Sequence, residues 1–291
     1  MTFRTRFAPS PTGPLHLGHA YSGLFAFDLA QRAGGAFLLR IDDIDASRSR
    51  PEWEAQIYDD LTWLGLTWPK PVRRQSEHLP AYRAALSYLW ARGLLYPCSC
   101  SRRDIAAAAS APQEDSPPIG PDGIVYPGTC RPSHPPEGTL PETVLRLDMR
   151  RALGTLQAQA LRPLLGFKED GAGPEGQTGQ IRLDPEALVE TIGDVVLARG
   201  GMGGSYHLSV VVDDAVQRIT HVIRGRDLFG ATAIHVVLQR LLELPTPIYH
   251  HHRLIRDETG KRLAKRDDAR AIAKYRADGL TPRQIREMVG L

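Results

Sequence analysis

Arg6-Phe7-Ala8-Pro9-Ser10-Pro11-Thr12-Gly13-Pro14-Leu15-His16-Leu17-Gly18-His19-Ala20 separates two apolar segments of different period. Upstream, from Phe3 to Phe7, apolar residues alternate as in a strand; downstream, from Leu17 to Ala33, they return at helical spacing. The prolines and Gly13 break both patterns and make a turn. Gly34 and Gly35 then stand where a helix end takes left-handed backbone. Ala36 to Ile41 is a short, nearly all-apolar run, as in a strand covered on both faces. Strand, helix and strand make a βαβ unit, and in such sheets ligands bind beyond the carboxyl ends of the strands.

The alternation continues outward from there. Pro51 suits the first position of a helix over Glu52 to Leu64, and a second amphipathic helix spans Leu79 to Arg92. Short strands are expected at Val144 to Leu147, Asp194 to Leu197 and Ile219 to Ile223, with a helix at Ala231 to Leu242. The sum is an α/β fold with a mostly parallel sheet. Ala106 to Gly123, an alanine run with four prolines, and the glycine-rich Gly171 to Gly179 read as exposed loops or partly disordered insertions. Thr281-Pro282 starts a last helix that ends near Gly290.

With 36 Lys and Arg against 33 Asp and Glu, the formal charge of +3 permits a nucleic-acid partner without requiring one. No run approaches the ~18 apolar residues of a membrane span, and Met1 to Pro9 has no apolar leader behind its arginines. A soluble, cytoplasmic protein is expected. The three cysteines all lie between Cys98 and Cys130, which fits a local metal site in a reducing compartment better than a disulfide framework.

Three constellations carry chemistry. In His16-Leu17-Gly18-His19, a glycine between two histidines at a helix start lets phosphates approach the backbone while N–H groups and imidazoles donate to them. Alone, the pattern fits helix-capping histidines equally well. Lys261-Arg262-Leu263-Ala264-Lys265-Arg266-Asp267 is a basic cluster that would, alone, read as a solvated surface run. Cys98-Ser99-Cys100 and Cys130 supply three corners of a tetrahedral zinc site, with His134 as the generic fourth ligand; three free cysteines are the alternative.

Over its whole length, Arg6 to Ala20 resembles the signature of class I glutamyl-tRNA synthetases. The resemblance recurs in order at Leu39-Arg40-Ile41-Asp42-Asp43-Ile44-Asp45, Asp60-Leu61-Thr62-Trp63-Leu64-Gly65-Leu66, Tyr206 to Asp214 and His221-Val222-Ile223-Arg224-Gly225, and Arg262 to Arg266 matches the lysine loop that is the second class I signature. It implies a Rossmann-like class I aminoacyl-tRNA synthetase catalytic core with an inserted zinc-binding, acceptor-like subdomain. The implied division is 1–95 and 191–245 for the halves of the core, 96–190 for the insertion and 246–291 for the lysine loop and helical tail.

By the same resemblance, His16, Gly18, His19 and Lys265 would bind ATP, with His16, His19 and Lys265 catalytic; Arg6, Ala8, Ser10, Asp42, Tyr206 and Arg224 would bind L-glutamate. Arginine forks match carboxylates with paired hydrogen bonds, and an acidic group suits the α-ammonium. Asp42 stands where the family more usually has glutamate. The queuosine-specific branch favours Tyr126, rather than His134, as the fourth ligand of a structural Zn2+.

Only a short tail follows Lys265, too short for an anticodon-reading domain. That resembles the glutamyl-queuosine tRNA(Asp) synthetases, which activate glutamate without tRNA and attach it to queuosine in the anticodon stem-loop of tRNA(Asp). Mg2+ would accompany the ATP, and a monomer is expected. The competing readings are a truncated synthetase charging tRNA(Glu), a small-molecule adenylyltransferase, and a catalytically silent RNA-binding paralogue.

Overall fold

The computed structural model describes residues 2–109, 118–158, 165–200, 203–255 and 270–291. The first half runs β1 (Arg4–Phe7), α1 (Leu17–Arg32), β2 (Ala36–Ile41), α2 (Pro51–Trp63), β3 (Arg73–Arg74), α3 (Leu79–Ala91), β4 (Leu95–Pro97) and α4 (Arg102–Ala109). A hairpin, β5 (Ile119–Gly120) and β6 (Gly123–Ile124), is followed by β7 (Leu145–Leu147), α5 (Met149–Gln157), β8 (Gly166–Glu169), β9 (Gly179–Arg182), α6 (Pro185–Thr191) and β10 (Val196–Ala198). The chain closes with α7 (Tyr206–Val216), β11 (His221–Gly225), α8 (Ala231–Leu241), β12 (Ile248–His252), α9 (Ile272–Ala277) and α10 (Pro282–Val289).

Parallel pairing joins β1 to β2 and β2 to β3, and separately β11 to β12 and β12 to β8, with β9 antiparallel on the β8 edge. The two sheets meet where the Thr220 N–H donates to the Arg4 carbonyl at 2.9 Å. Setting β8 and β9 aside, the order β3-β2-β1-β11-β12 is that of a doubly wound nucleotide-binding sheet, which reverses between β1 and β11. Gly34 (φ +57°) turns the chain out of α1. A Cβ on Gly35 would stand 2.2 Å from the Phe3 carbonyl oxygen, so only glycine lets β2 start beside β1.

One apolar core packs α1, α2 and the Ile285 and Val289 face of α10 around β1 and β2. A larger one gathers α3, α5, α7 and α8 around the antiparallel sheet β10-β7-β4. Within 96–190, the strands β8 and β9 add to the parallel sheet through β12, whereas β4 and β7 pair with β10.

The expected elements appear with ends shifted by a residue or two, and Ala36–Ile41 matches to the residue. The segment Ala106 to Gly123 differs. Its alanines complete α4, because alanine is the strongest helix former. Its far end forms the β5–β6 hairpin with Pro121 and Asp122 at the turn; residues 110–117 lie outside the described residues. Among the described residues no helix is long and apolar enough to cross a membrane.

Candidate active site

His16 is the N-cap of α1, and the signature histidines do cap the helix. The Gly18 N–H donates to His16 Nδ1 at 3.1 Å, and the His16 N–H donates to His19 Nδ1 at 3.2 Å. With both Nδ1 atoms accepting, the neutral rings carry their hydrogens on Nε2, the donor a phosphate oxygen takes. The rings lie 3.8 Å apart between centroids. A Cβ at Gly18 would meet the His16 ring at 3.0 Å, so the glycine lets the imidazole fold over the helix start. Capping and phosphate donation are therefore compatible in these two side chains.

Lys265, with the basic cluster around it, lies outside the described residues. The chain that follows it returns to the first signature: Ala271 bridges His16, and the Ile272 N–H donates to the Leu15 carbonyl at 2.8 Å.

The turn after β1 carries Ala8 and Ser10, both partly buried, and the Asp42 N–H donates to the Pro9 carbonyl at 3.0 Å. Arg6 is buried, and its guanidinium closes a two-pronged pair on Asp214, at 2.9 and 3.2 Å. Asp42 is gripped by Arg40, at 2.7 and 3.4 Å, and Arg40 also reaches Asp214 at 2.6 Å. Asp213 accepts from Arg73 at 2.7 Å and from the Tyr82 hydroxyl at 2.9 Å. Three arginines thus alternate with three aspartates in one buried belt, a charge balance that burial of this many ions demands. Burial raises the Asp42 carboxyl above its ordinary value despite the opposing pull of Arg40. Burial also pushes Asp214 up, but Arg6 and Arg40 outweigh it and hold that carboxyl low.

Tyr206 opens α7, half-exposed, and its ring meets the rings of His207 and His235 at 5.4 and 5.9 Å. Arg224, buried in β11, donates from Nη1 to His235 Nδ1 at 3.1 Å and from Nε to His251 Nε2 at 3.1 Å. From Nη2 it donates to the Leu228 carbonyl at 3.2 Å and the Thr232 hydroxyl at 2.7 Å. Desolvation, then the charge of Arg224, and more weakly that of Arg6, hold His235 well below its ordinary pKa. One imidazole thus feels both of the arginines expected at the substrate. Arg40, His207, His235, His251 and Glu169 were not anticipated as members of this neighbourhood. For Arg40 and His207 the signal was their place in the segments Leu39 to Asp45 and Tyr206 to Asp214; for His235, His251 and Glu169 it was only that charged or polar residues stand in strands and helices of the core.

The sulfur atoms of Cys98, Cys100 and Cys130 lie within 4.8 Å of one another. The Tyr126 hydroxyl stands 3.5 Å from both the Cys98 and Cys100 sulfurs and accepts from the Cys130 N–H at 2.7 Å. Tetrahedral zinc bonded to sulfur separates its ligands by roughly 3.8 Å, so the group has the size of a metal site. His134 is exposed and pairs with Ser133. The Tyr126 hydroxyl draws the Cys130 thiol down to about 6, while burial and the thiols raise Tyr126 itself. Arg146, buried in β7, donates to the Cys98 sulfur at 3.2 Å and lies 3.8 Å over the Tyr126 ring, a cation suited to thiolates.

The family model for class I tRNA synthetases (E and Q), catalytic domain, matches residues 2–118 and 156–291. The chain belongs to that family. It is 61% identical over 289 residues to a glutamyl-Q tRNA(Asp) synthetase of Rhodobacter capsulatus, covering 99% of both chains. To the glutamyl-Q tRNA(Asp) synthetase of Symbiobacterium thermophilum it is 42% identical, over 96% of this chain and 83% of that one. Among solved structures, a glutamate tRNA ligase from Elizabethkingia meningosepticum in complex with its amino acid superposes with a TM-score of 0.71 at 25% identity. That match covers 100% of this chain, which spans 61% of the ligase. The protein is therefore a ligase of the class I aminoacyl-tRNA synthetase type.

Proposed function

We propose that this enzyme activates L-glutamate with Mg-ATP, without tRNA, and transfers it to the queuosine base in the anticodon of tRNA(Asp). The observation that carries the reading is the 61% identity, end to end, with a glutamyl-Q tRNA(Asp) synthetase. The glutamate α-carboxylate attacks the α-phosphorus of ATP and pyrophosphate leaves. A hydroxyl of the queuosine cyclopentenediol then attacks the carbonyl carbon of the adenylate, and AMP leaves. Catalysis rests on positioning and on donors aimed at developing phosphate charge. His16 and His19, with hydrogens on Nε2 at the start of α1, suit that role, and Lys265 would add a cation.

In this reading Arg224 would meet a carboxylate of the substrate and Asp42 its ammonium, with Tyr206, Ala8, Ser10 and Arg6 completing the glutamate site. Cys98, Cys100, Cys130 and Tyr126 would hold one structural Zn2+ in the insertion. The division into core halves 1–95 and 191–245, insertion 96–190 and tail 246–291 belongs to the same reading. The test is glutamate transfer to tRNA(Asp) with and without queuosine, since a pocket that hydrogen-bonds a hydroxyl strongly rejects an analogue lacking it. Acceptance by queuosine-containing tRNA(Asp) alone is expected; charging of tRNA(Glu) in its place would overturn the assignment.

A further inference from the structure

We propose that Asp122, at the tip of the β5–β6 hairpin, is a positioning residue for the glutamate site: through His207 and His235 it fixes the Arg224 guanidinium that meets the substrate carboxylate. The inference rests on the reading that this site takes glutamate.

The hydrogen bonds have one consistent direction. A guanidinium only donates, so His235 Nδ1, 3.1 Å from Arg224 Nη1, accepts. Neutral His235 then carries its hydrogen on Nε2 and donates to His207 Nδ1 at 3.0 Å. His207 in turn donates from Nε2 to the Asp122 carboxylate at 2.9 and 3.0 Å. A second branch runs from Arg224 Nε to His251 Nε2, and from His251 Nδ1 to Glu169 Oε2 at 2.5 Å. His251 alone bridges the arginine to a carboxylate, whereas on the other branch His235 holds the arginine and His207 links it to the Asp122 carboxylate.

Among the described residues, none of the hydrogen-bond partners recorded for Arg224 is a carboxylate, in contrast to Arg6 with its closed fork on Asp214. Those bonds use Nε, both Nη2 hydrogens and one Nη1 hydrogen, so the remaining donor sits on the nitrogen that His235 orients. The negative charge is held at the far ends of two imidazoles, and the cation keeps its charge for an incoming carboxylate.

Asp122 comes from the part of the chain that carries the cysteines, and the hairpin is seated on the core. A Cβ on Gly120 would stand 2.5 Å from the Thr191 carbonyl oxygen, and one on Gly230 would stand 3.2 Å from Pro121. Burial raises the Asp122 carboxyl, but the hydrogen bond and charge interaction with His207, together with Arg199 and Arg146, outweigh it and hold the group below its ordinary value. The docking of the insertion's hairpin is therefore read by the guanidinium in β11.

Glutamate-dependent pyrophosphate exchange with the whole chain tests this. Asp122→Ala should raise the KM for glutamate roughly three- to ten-fold while the KM for ATP and kcat stay within about two-fold, the size expected for one lost hydrogen bond. Asp122→Asn, which keeps an acceptor for His207, should recover most of the loss. Gly120→Ala, which cannot seat against Thr191, should displace the hairpin and reproduce the Asp122→Ala effect with every residue of the relay unchanged. An unchanged glutamate KM in active Asp122→Ala protein overturns the proposal alone, as does a parallel rise for glutamate and ATP. Wild-type protein inert toward glutamate would sink the substrate assignment, and the proposal with it.

Discussion

Arg6 and Arg224 are both buried guanidiniums beside the expected substrate, but their partners differ: a carboxylate in direct contact neutralises one, while neutral imidazoles only orient the other. The motifs Arg6 to Ala20 and His221 to Gly225 point to both arginines equally. Asp60 is a different case, a carboxylate that works against the fold. It is fully buried in α2, and its oxygens meet no donor at good geometry. Burial, reinforced by the like charge of Asp59, raises its pKa to about 6 against weaker pulls from Arg276 and Gln56. The folded state thus holds this proton more tightly than the unfolded chain, whose aspartates titrate near about 4. Stability is greatest below that lower value and falls as pH rises to about 6. The unfolding free energy of Asp60→Asn minus that of wild type should therefore grow by about 2–3 kcal/mol between about pH 4 and about pH 8. Denaturant titrations at both pH values measure it, and a pH-independent difference would refute the assignment.

Helix α1 was legible because three local signals agree: a turn before it, helical period within it and glycines after it. The cysteine cluster was legible in part. Its spacing brings out three candidate sulfur ligands but does not choose between Tyr126 and His134; in the fold the Tyr126 hydroxyl lies 3.5 Å from two of the sulfurs, while His134 is exposed. Purified protein is expected to carry one zinc per chain, read by elemental analysis. Tyr126→Phe should loosen the metal toward a chelator while His134→Ala leaves its retention unchanged; the reverse pattern would restore the histidine. The β5–β6 hairpin was not legible, because its two-residue strands are too short to show a period. Its position depends on contacts with α6 and α8, remote in sequence.

The carboxyl-terminal helix ties the chain's two ends together. Thr281 caps α10, Gly290 ends it at φ +73°, and Arg286 pairs with Asp28 of α1 at 2.8 and 3.0 Å. Ile285 is fully buried against the first core, so Ile285→Ala should lower the unfolding free energy by about 2–5 kcal/mol, the range for a large-to-small core change. Equilibrium unfolding in denaturant reads it, and a loss well under about 1 kcal/mol would mean that α10 is not part of the cooperative unit. The sequence alone determined the βαβ entry, the helix start with its two histidines, the group of three cysteines and the family signature, since each is written in residues close together in the chain. The tertiary structure decided which charges meet. Asp213 and Asp214 come to Arg6, Arg40 and Arg73 only because α7 packs behind the sheet, and His235, His251 and Asp122 converge on the neighbourhood of Arg224 from three separate elements. Partners so far apart in sequence leave no periodic trace, and only the packing of apolar faces brings them within hydrogen-bond distance.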